Sequence, residues 1–252
     1  MIKVAPYWDG FGDLWAVTSH CCLRSRREGR TVYLSKWSTK SMLDREEDIR
    51  DILKSLDDSY TENVVVTTER FTMSPRFSVR DHHDSYVPTK VRWARSDSRI
   101  ISYQIETPTK HRPGRFCHPR LIEGLSDQLP DYEFIELGKK HQSTMSEIIE
   151  ILSQSELFVG IDSGMSHVAH SVGVPVFLKH HAELDLYHPN KEYVAFRDGQ
   201  DLKLKLCELP SLSQAMSAKA RKKLTTWQVS SMSPLFRRVW QRFIQSVRLS
   251  NL

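Results

Sequence analysis

Between two apolar runs, the stretch LFVGIDSGMSHVAHSVGVPVFLKH (residues 157–180) places an acid, several hydroxyls and three histidines. Asp162, Ser163 and Gly164 stand directly after the first run, where a parallel strand would turn into a helix. Ser163 suits a helix N-cap. Gly164 lets backbone come close to a ligand, and the open amides of a helix start favour an anion such as phosphate. His167 and His170 are three residues apart and can share one helical face. The plainer explanation is that Asp162 and Ser163 only cap the helix, and the residues alone admit both. A second Gly-rich turn, GFGD (residues 10–13), lies near the N-terminus.

The elements needed to hold these turns follow from the pattern of apolar residues. IKVAPYW reads as a first strand, GFGDLWAVTSHCCLRSRREG as a turn and helix stopped by Gly29, and TVYLS as a second strand. This opening βαβ unit sets the GFGD turn at the carboxyl end of a parallel strand. LDREEDIRDILKSLDD reads as an exposed helix and NVVVTTE as a strand. Residues 71–98 are poor in aliphatics and read as a loop or boundary, with the domain break near Ser96. The second half repeats the alternation. RIISYQI, YEFIEL, LFVGI and VPVFLKH are strands, separated by the helices HPRLIEGLSDQL, TMSEIIEILSQS and the one entered at DSGMSHVAHSVG. The expectation is an α/β protein with parallel sheets and right-handed crossovers.

Composition narrows the class. With 252 residues the chain can hold two small domains. Its 39% hydrophobic and 27% charged residues are those of a soluble globular protein, and no apolar run approaches the roughly 20 residues of a membrane span. Without a signal-peptide pattern at its start, the expected location is the cytoplasm. Cys21, Cys22, Cys117 and Cys207 lack CxxC spacing, so reduced thiols and no zinc are expected. The net charge of +5 is unevenly spread: residues 1–100 carry 17 Lys+Arg against 15 Asp+Glu, residues 101–202 carry 9 against 15, and residues 203–252 carry 10 against 1. That basic end suits a polyanion, or a solvated helix face. His180 and His181 are adjacent and would point apart on a strand, which favours nucleotide or surface roles over a metal site.

The run FVGIDSGMSHVAHSVGVPVFL resembles the nucleotide-sugar motif of the heptosyltransferase-like (family 9) glycosyltransferases, Asp-Ser/Thr-Gly-x-x-His-x-Ala before a Gly-x-Pro strand. EIIEILSQSELFVG resembles that family's approach to the motif, and GFGDLWAVTSHCCLRS its N-terminal Gly-x-Gly-Asp turn and helix. The two motifs stand in the family's order, about 150 residues apart. The resemblance implies a GT-B-like fold, two Rossmann-like domains with parallel sheets and a cleft between them. Residues 1–95 would form a shortened acceptor-side domain and residues 96–230 the donor domain. Residues 231–252 would form a basic amphipathic helix packing back on the first domain.

The resemblance further implies an inverting, metal-independent transfer from a UDP- or ADP-sugar, with no permanently bound cofactor. Asp13 would be the general base, taking a proton from the acceptor hydroxyl as it attacks the anomeric carbon; the competing role is a helix N-terminal acid meeting the macrodipole. Gly10, Phe11, Gly12 and Trp15 would lie on the acceptor side. Asp162 would belong to the donor-binding set, in which Ser163, Gly164, Met165 and His167 would hold the diphosphate, joined from the loop TPTKHRPGRF by Thr107, Thr109 and either Lys110 or Arg115.

Two anionic acceptors fit. One is a lipopolysaccharide core sugar; the other, slightly favoured, is a hydroxymethylated base in bacteriophage DNA, which places the enzyme in the host cytoplasm. A flipped base needs an aromatic wedge near a basic rim, for which Tyr7, Trp8, Phe11 and Trp15 with Arg24, Arg26, Arg27 and Arg30 are candidates. A non-catalytic nucleotide-sugar or nucleic-acid-binding protein is the alternative of another class.

Overall fold

The computed structural model describes residues 2–6, 10–71, 86–94, 98–106, 116–138, 144–181, 184, 192–209 and 211–212. The basic C-terminal helix, the break near Ser96, Tyr7 and Trp8, and the loop with Thr107, Thr109, Lys110 and Arg115 fall outside the described residues.

The first half is a βαβ unit extended by one strand. β1 (Ile2–Val4) leads into α1 (Phe11–Glu28), β2 (Val32–Ser35), α2 (Glu46–Ser55), the short α3 (Asp58–Thr61) and β3 (Val64–Thr67). The three strands are parallel in the order β1-β2-β3, a Rossmann-like arrangement. Gly29 stops α1 in the left-handed conformation, φ 60°, its amide bonded to the Ser25 carbonyl. That is the stop expected of a C-terminal glycine.

The second half contains β4 (Ile100–Gln104), α4 (Arg120–Ser126), β5 (Glu133–Glu136), α5 (Met145–Gln154), β6 (Leu157–Gly160), α6 (Gly164–Val172) and β7 (Val176–Lys179). It continues through β8 (Val194–Phe196) and α7 (Gly199–Leu206), which the sequence reading did not assign. The five strands are parallel in the order β5-β4-β6-β7-β8, so the chain reverses its direction of growth between β4 and β6. Ligands in open parallel sheets bind outside the carboxyl ends of the strands at such a reversal.

Both faces of this sheet are covered, and its strands therefore read as near-continuous apolar runs. On one face Ile101, Val159, Phe177 and Phe196 pack with Leu125 of α4 and Leu202 of α7. On the other, Phe158, Val176 and Leu178 join Val168 and Val172 of α6. This second cluster continues through Leu14 and Val17 of α1 to Val4, Val32 and Leu34 of the first sheet, so α1 and α6 are buried together between the two sheets. No helix among the described residues is long and apolar enough to cross a membrane.

Cys21, Cys22 and Cys117 are buried and Cys207 is half-buried. Burial, reinforced by the neighbouring Cys22, pushes the Cys21 thiol far up; burial lifts Cys22 from 9.0 to about 12 and Cys117 to about 11. Each therefore keeps its proton in the folded chain after the unfolded chain has begun to lose it. The resulting stabilisation is complete below the unfolded value and is lost as pH rises through the folded ones. Denaturant midpoints should thus hold up to about pH 9 and fall progressively from there to about pH 12. In the native protein at about pH 8, alkylation followed by mass spectrometry should modify Cys207 first and the three buried thiols only after unfolding.

Candidate functional site

Gly10 is the N-cap of α1 in an extended conformation, and it provides no side-chain cap. Asp13 lies in the first turn, where a carboxylate meets the positive end of the helix. Its side chain turns back along the helix: a Cβ on Gly10 would lie 2.7 Å from Asp13 Oδ2. At the other motif, β6 and Ile161 are buried and deliver Asp162 and Ser163, themselves buried, to the start of α6. Ser163 is the N-cap, as expected. The Ser166 hydroxyl closes this turn, accepting from the Ser163 amide at 3.2 Å and donating to the Ser163 carbonyl at 2.7 Å. The Ser163 hydroxyl donates to Gln104 Oε1, bridging the ends of β6 and β4 across the reversal of strand order.

The two motifs meet. A Cβ on Gly12 would fall 2.5 Å from His167 Cδ2, 2.8 Å from His167 Nε2 and 3.2 Å from the Gly164 Cα. A Cβ on Gly164 would fall 2.9 Å from Phe11 Cδ1 and 3.4 Å from the Gly12 amide nitrogen. The N-terminal turns of α1 and α6 are thus in contact, and the glycines are needed for the helices' mutual approach. Sequence reasoning attributes these glycines to ligand approach; in the structure their missing side chains are taken up by protein.

Three residues complete the cluster. Tyr86, buried in the segment linking the halves, hydrogen-bonds to His167 Nδ1 and stacks on His170, with ring centroids 5.8 Å apart and planes 13° apart. One ring thus touches both histidines, consistent with their sharing a face of α6. Burial drives the Tyr86 phenol well above its ordinary value, and the nearby carboxylates of Asp162 and Asp13 push it further. His181, the third, lies with Nε2 3.7 Å from Asp162 Oδ2, both side chains buried, while its neighbour His180 is exposed. The adjacent histidines do point apart.

Gln104 stands where the carboxyl-end rule would have looked for it. Tyr86 gave no such signal, because it follows a stretch without periodicity. Met165 turns its side chain into the core, leaving its backbone to the helix start.

Two expectations are corrected. Trp15 does not face an acceptor: it is fully buried, and its indole N–H donates to Ser171 Oγ at 2.7 Å, which satisfies a polar group inside the α1–α6 interface. Nor do the arginines of α1 make a rim beside Asp13. At 1.5 Å per residue, Arg24, Arg26 and Arg27 lie about 16 Å or more along the helix from it, and Arg30 lies beyond the helix end. Arg24 and Arg30 pair with Glu28, and Arg26 stacks on Tyr60 at 4.2 Å. Phe11 remains partly exposed at the junction, packed on Gly164 and 5.9 Å from the Trp15 ring.

No protein-family model matches the chain, and no curated protein matches it. Among solved structures it is similar to the dodecameric iron-containing heptosyltransferase TibC in complex with ADP-D-beta-D-heptose, at 11% identity and a TM-score of 0.47 over 70% of this chain and 57% of that one. A second structure, the iron-containing dodecameric glycosyltransferase TibC from enterotoxigenic E. coli H10407, gives 12% identity and a TM-score of 0.47 over 71% and 57%. The chain thus spans less than two thirds of the length of these structures.

The glycine contacts predict distinct outcomes. Gly12→Ala places a methyl against an imidazole ring and a helix backbone, and overpacking of this kind costs about 1–3 kcal/mol. The melting temperature should fall by roughly 2–4 °C per kcal/mol. Gly10→Ala meets only the far end of the Asp13 side chain. Thermal melts should show it much less destabilised than Gly12→Ala, with Asp13 displaced rather than the helix packing.

Proposed function

We propose that the chain is a nucleotide-sugar-dependent glycosyltransferase of the heptosyltransferase-like, GT-B type. Residues 1–95 serve the acceptor side, residues 96–230 the donor and residues 231–252 form the basic returning helix. The observation that carries this reading is the meeting of the two motif turns, Gly10 to Asp13 and Asp162 to His167, at the carboxyl ends of their parallel sheets. A transferase of this kind needs a carboxylate at the acceptor hydroxyl and hydrogen-bond donors at the leaving diphosphate. The α1 turn carries the first and the α6 turn the second.

Asp13 acts as the base. The amides of Gly164 and Met165 with the His167 imidazole face the diphosphate, joined by Thr107, Thr109 and Lys110 or Arg115. The Ser163 hydroxyl is committed to Gln104 and its amide to Ser166 Oγ, so Ser163 contributes by shaping the turn that opens the next two amides. The donor is a UDP- or ADP-sugar and the transfer needs no metal. The acceptor is an anionic polymer, a hydroxymethylated base in phage DNA or a lipopolysaccharide core sugar, suited to the 10 basic residues against 1 acidic in residues 203–252. A binding protein without transfer is the second reading, favoured by the Asp13 carboxylate lying back over its own N-cap, as a purely helix-stabilising acid would.

Mass spectrometry of nucleotide-sugar panels offered with hydroxymethylated DNA and, separately, with lipopolysaccharide core tests the assignment. A sugar mass added to either acceptor supports transfer and selects between them; turnover of no donor supports the binding protein. Asp13→Asn should lower transfer by at least about a hundredfold while sparing nucleoside-diphosphate affinity. Equal activity would remove Asp13 as the base.

A further inference from the structure

We propose that Tyr86 is the positioning residue of this site: its phenol donates to His167 Nδ1, holds the imidazole as the Nε2–H tautomer and aims that N–H at the junction of α1 and α6. The role is stated for the donor site proposed above and rests on that reading for its use, although the tautomer itself does not.

The contact of the phenol with Nδ1 admits either direction, and the phenol is taken here as the donor. Tyr86 is buried, with the carboxylates of Asp162 and Asp13 nearby; each disfavours a phenolate, so the ring keeps its proton. A neutral imidazole accepting that proton at Nδ1 must carry its own on Nε2. The Nε2 edge is the one against Gly12, where a Cβ would sit 2.8 Å from the nitrogen, and Gly164 adjoins it. The donor is therefore presented at the place where the amide ends of both helices converge. A leaving diphosphate requires donors already in position before charge develops.

Tyr86 is itself held from both sides. Beyond it, the Asp57 amide donates to the Pro88 carbonyl at 2.9 Å and the Lys90 amide to the Ser55 carbonyl at 3.0 Å, fastening the segment to the α2–α3 region. The Thr89 and Trp93 amides donate to the carbonyls of Ser171 and Val172 at 3.1 and 2.9 Å, fastening it to the end of α6. The Trp93 indole donates to the Ser155 carbonyl at 2.8 Å. His170 backs the ring face to face, and His167 meets it edge-on with centroids 5.5 Å apart. Displacing the ring would cost its contacts with both histidines.

Long-range proton–nitrogen NMR of the imidazoles in the ¹⁵N-labelled full chain, above about pH 7.5 where an ordinary histidine is neutral, reads the tautomer directly. His167→Gln assigns the signal. The wild type should show an unprotonated Nδ1 and a protonated Nε2, and Tyr86→Phe, which keeps the ring, should show exchange between tautomers. A wild-type Nδ1–H form, a doubly protonated ring, or an unchanged pattern in Tyr86→Phe overturns the proposal. The wild-type spectrum decides even if the variant does not fold. With ADP and UDP as probes, Tyr86→Phe should bind about tenfold more weakly than wild type, the scale of one well-placed hydrogen bond. Equal affinity overturns the donor-side role. Absence of binding in the wild type refutes the donor-site reading, while the tautomer still judges Tyr86.

Discussion

The contact between the first turns of α1 and α6 joins the two halves, and both motifs depend on it. Gly12 and Gly164 have no side chains to hold the helices apart, so the backbone of one turn packs against the other with His167 and Phe11 filling the space a Cβ would need. Behind them the interface is apolar and continuous from sheet to sheet. The Trp15–Ser171 bond seals the only polar demand a buried indole makes. Convergence of two helix N-termini brings together two partial positive charges that repel. Asp13 and Asp162 offset them, and they add to the burial that already raises the phenol between the halves.

This arrangement contains an apparent conflict, since carboxylates beside the proposed anion site would repel the anion. Their commitments ease it. Asp162 lies within 3.7 Å of His181, and the Asp13 side chain turns back over its N-cap. The remaining polar groups at the α6 turn are engaged in the same way: Ser163 with Gln104, Ser166 with the Ser163 backbone, and His167 with Tyr86. Groups held in this way keep one geometry, and in the proposed reaction such pre-set donors would not reorganise when charge appears. The hydroxyls and imidazoles at this bend serve helix capping and turn closure and, in the proposed reading, that pre-organisation.

Local pattern carried much of the fold and marked the two turns that the structure brings together. Apolar runs of four or five residues gave β2, β4, β6 and β7, whose both-face burial leaves little room for polar residues. Gly29 and Ser163 marked a helix stop and a helix start through backbone chemistry that each residue type favours. β8 spans three residues and α3 four, too short for any period to register. Trp15 and the α1 arginines were misplaced for a different reason. Nearness in sequence to Asp13 says nothing about which face of an 18-residue helix a side chain takes or at which end it lies.

Tyr86 shows what a linear reading loses most easily. It lies 81 residues from His167, and nothing in its neighbours' types distinguishes it from any buried tyrosine. Its position comes from backbone bonds made by residues 88–93 to α6 on one side and the α2–α3 region on the other. The chain thus sets the orientation of a motif histidine with a connector outside either motif. This division has a physical logic. The motif residues must present backbone amides at a helix start, and that leaves them few side chains with which to brace one another. The bracing then falls to segments that cross between the halves, where one strap can fix the helices' approach and the imidazole's orientation at the same time.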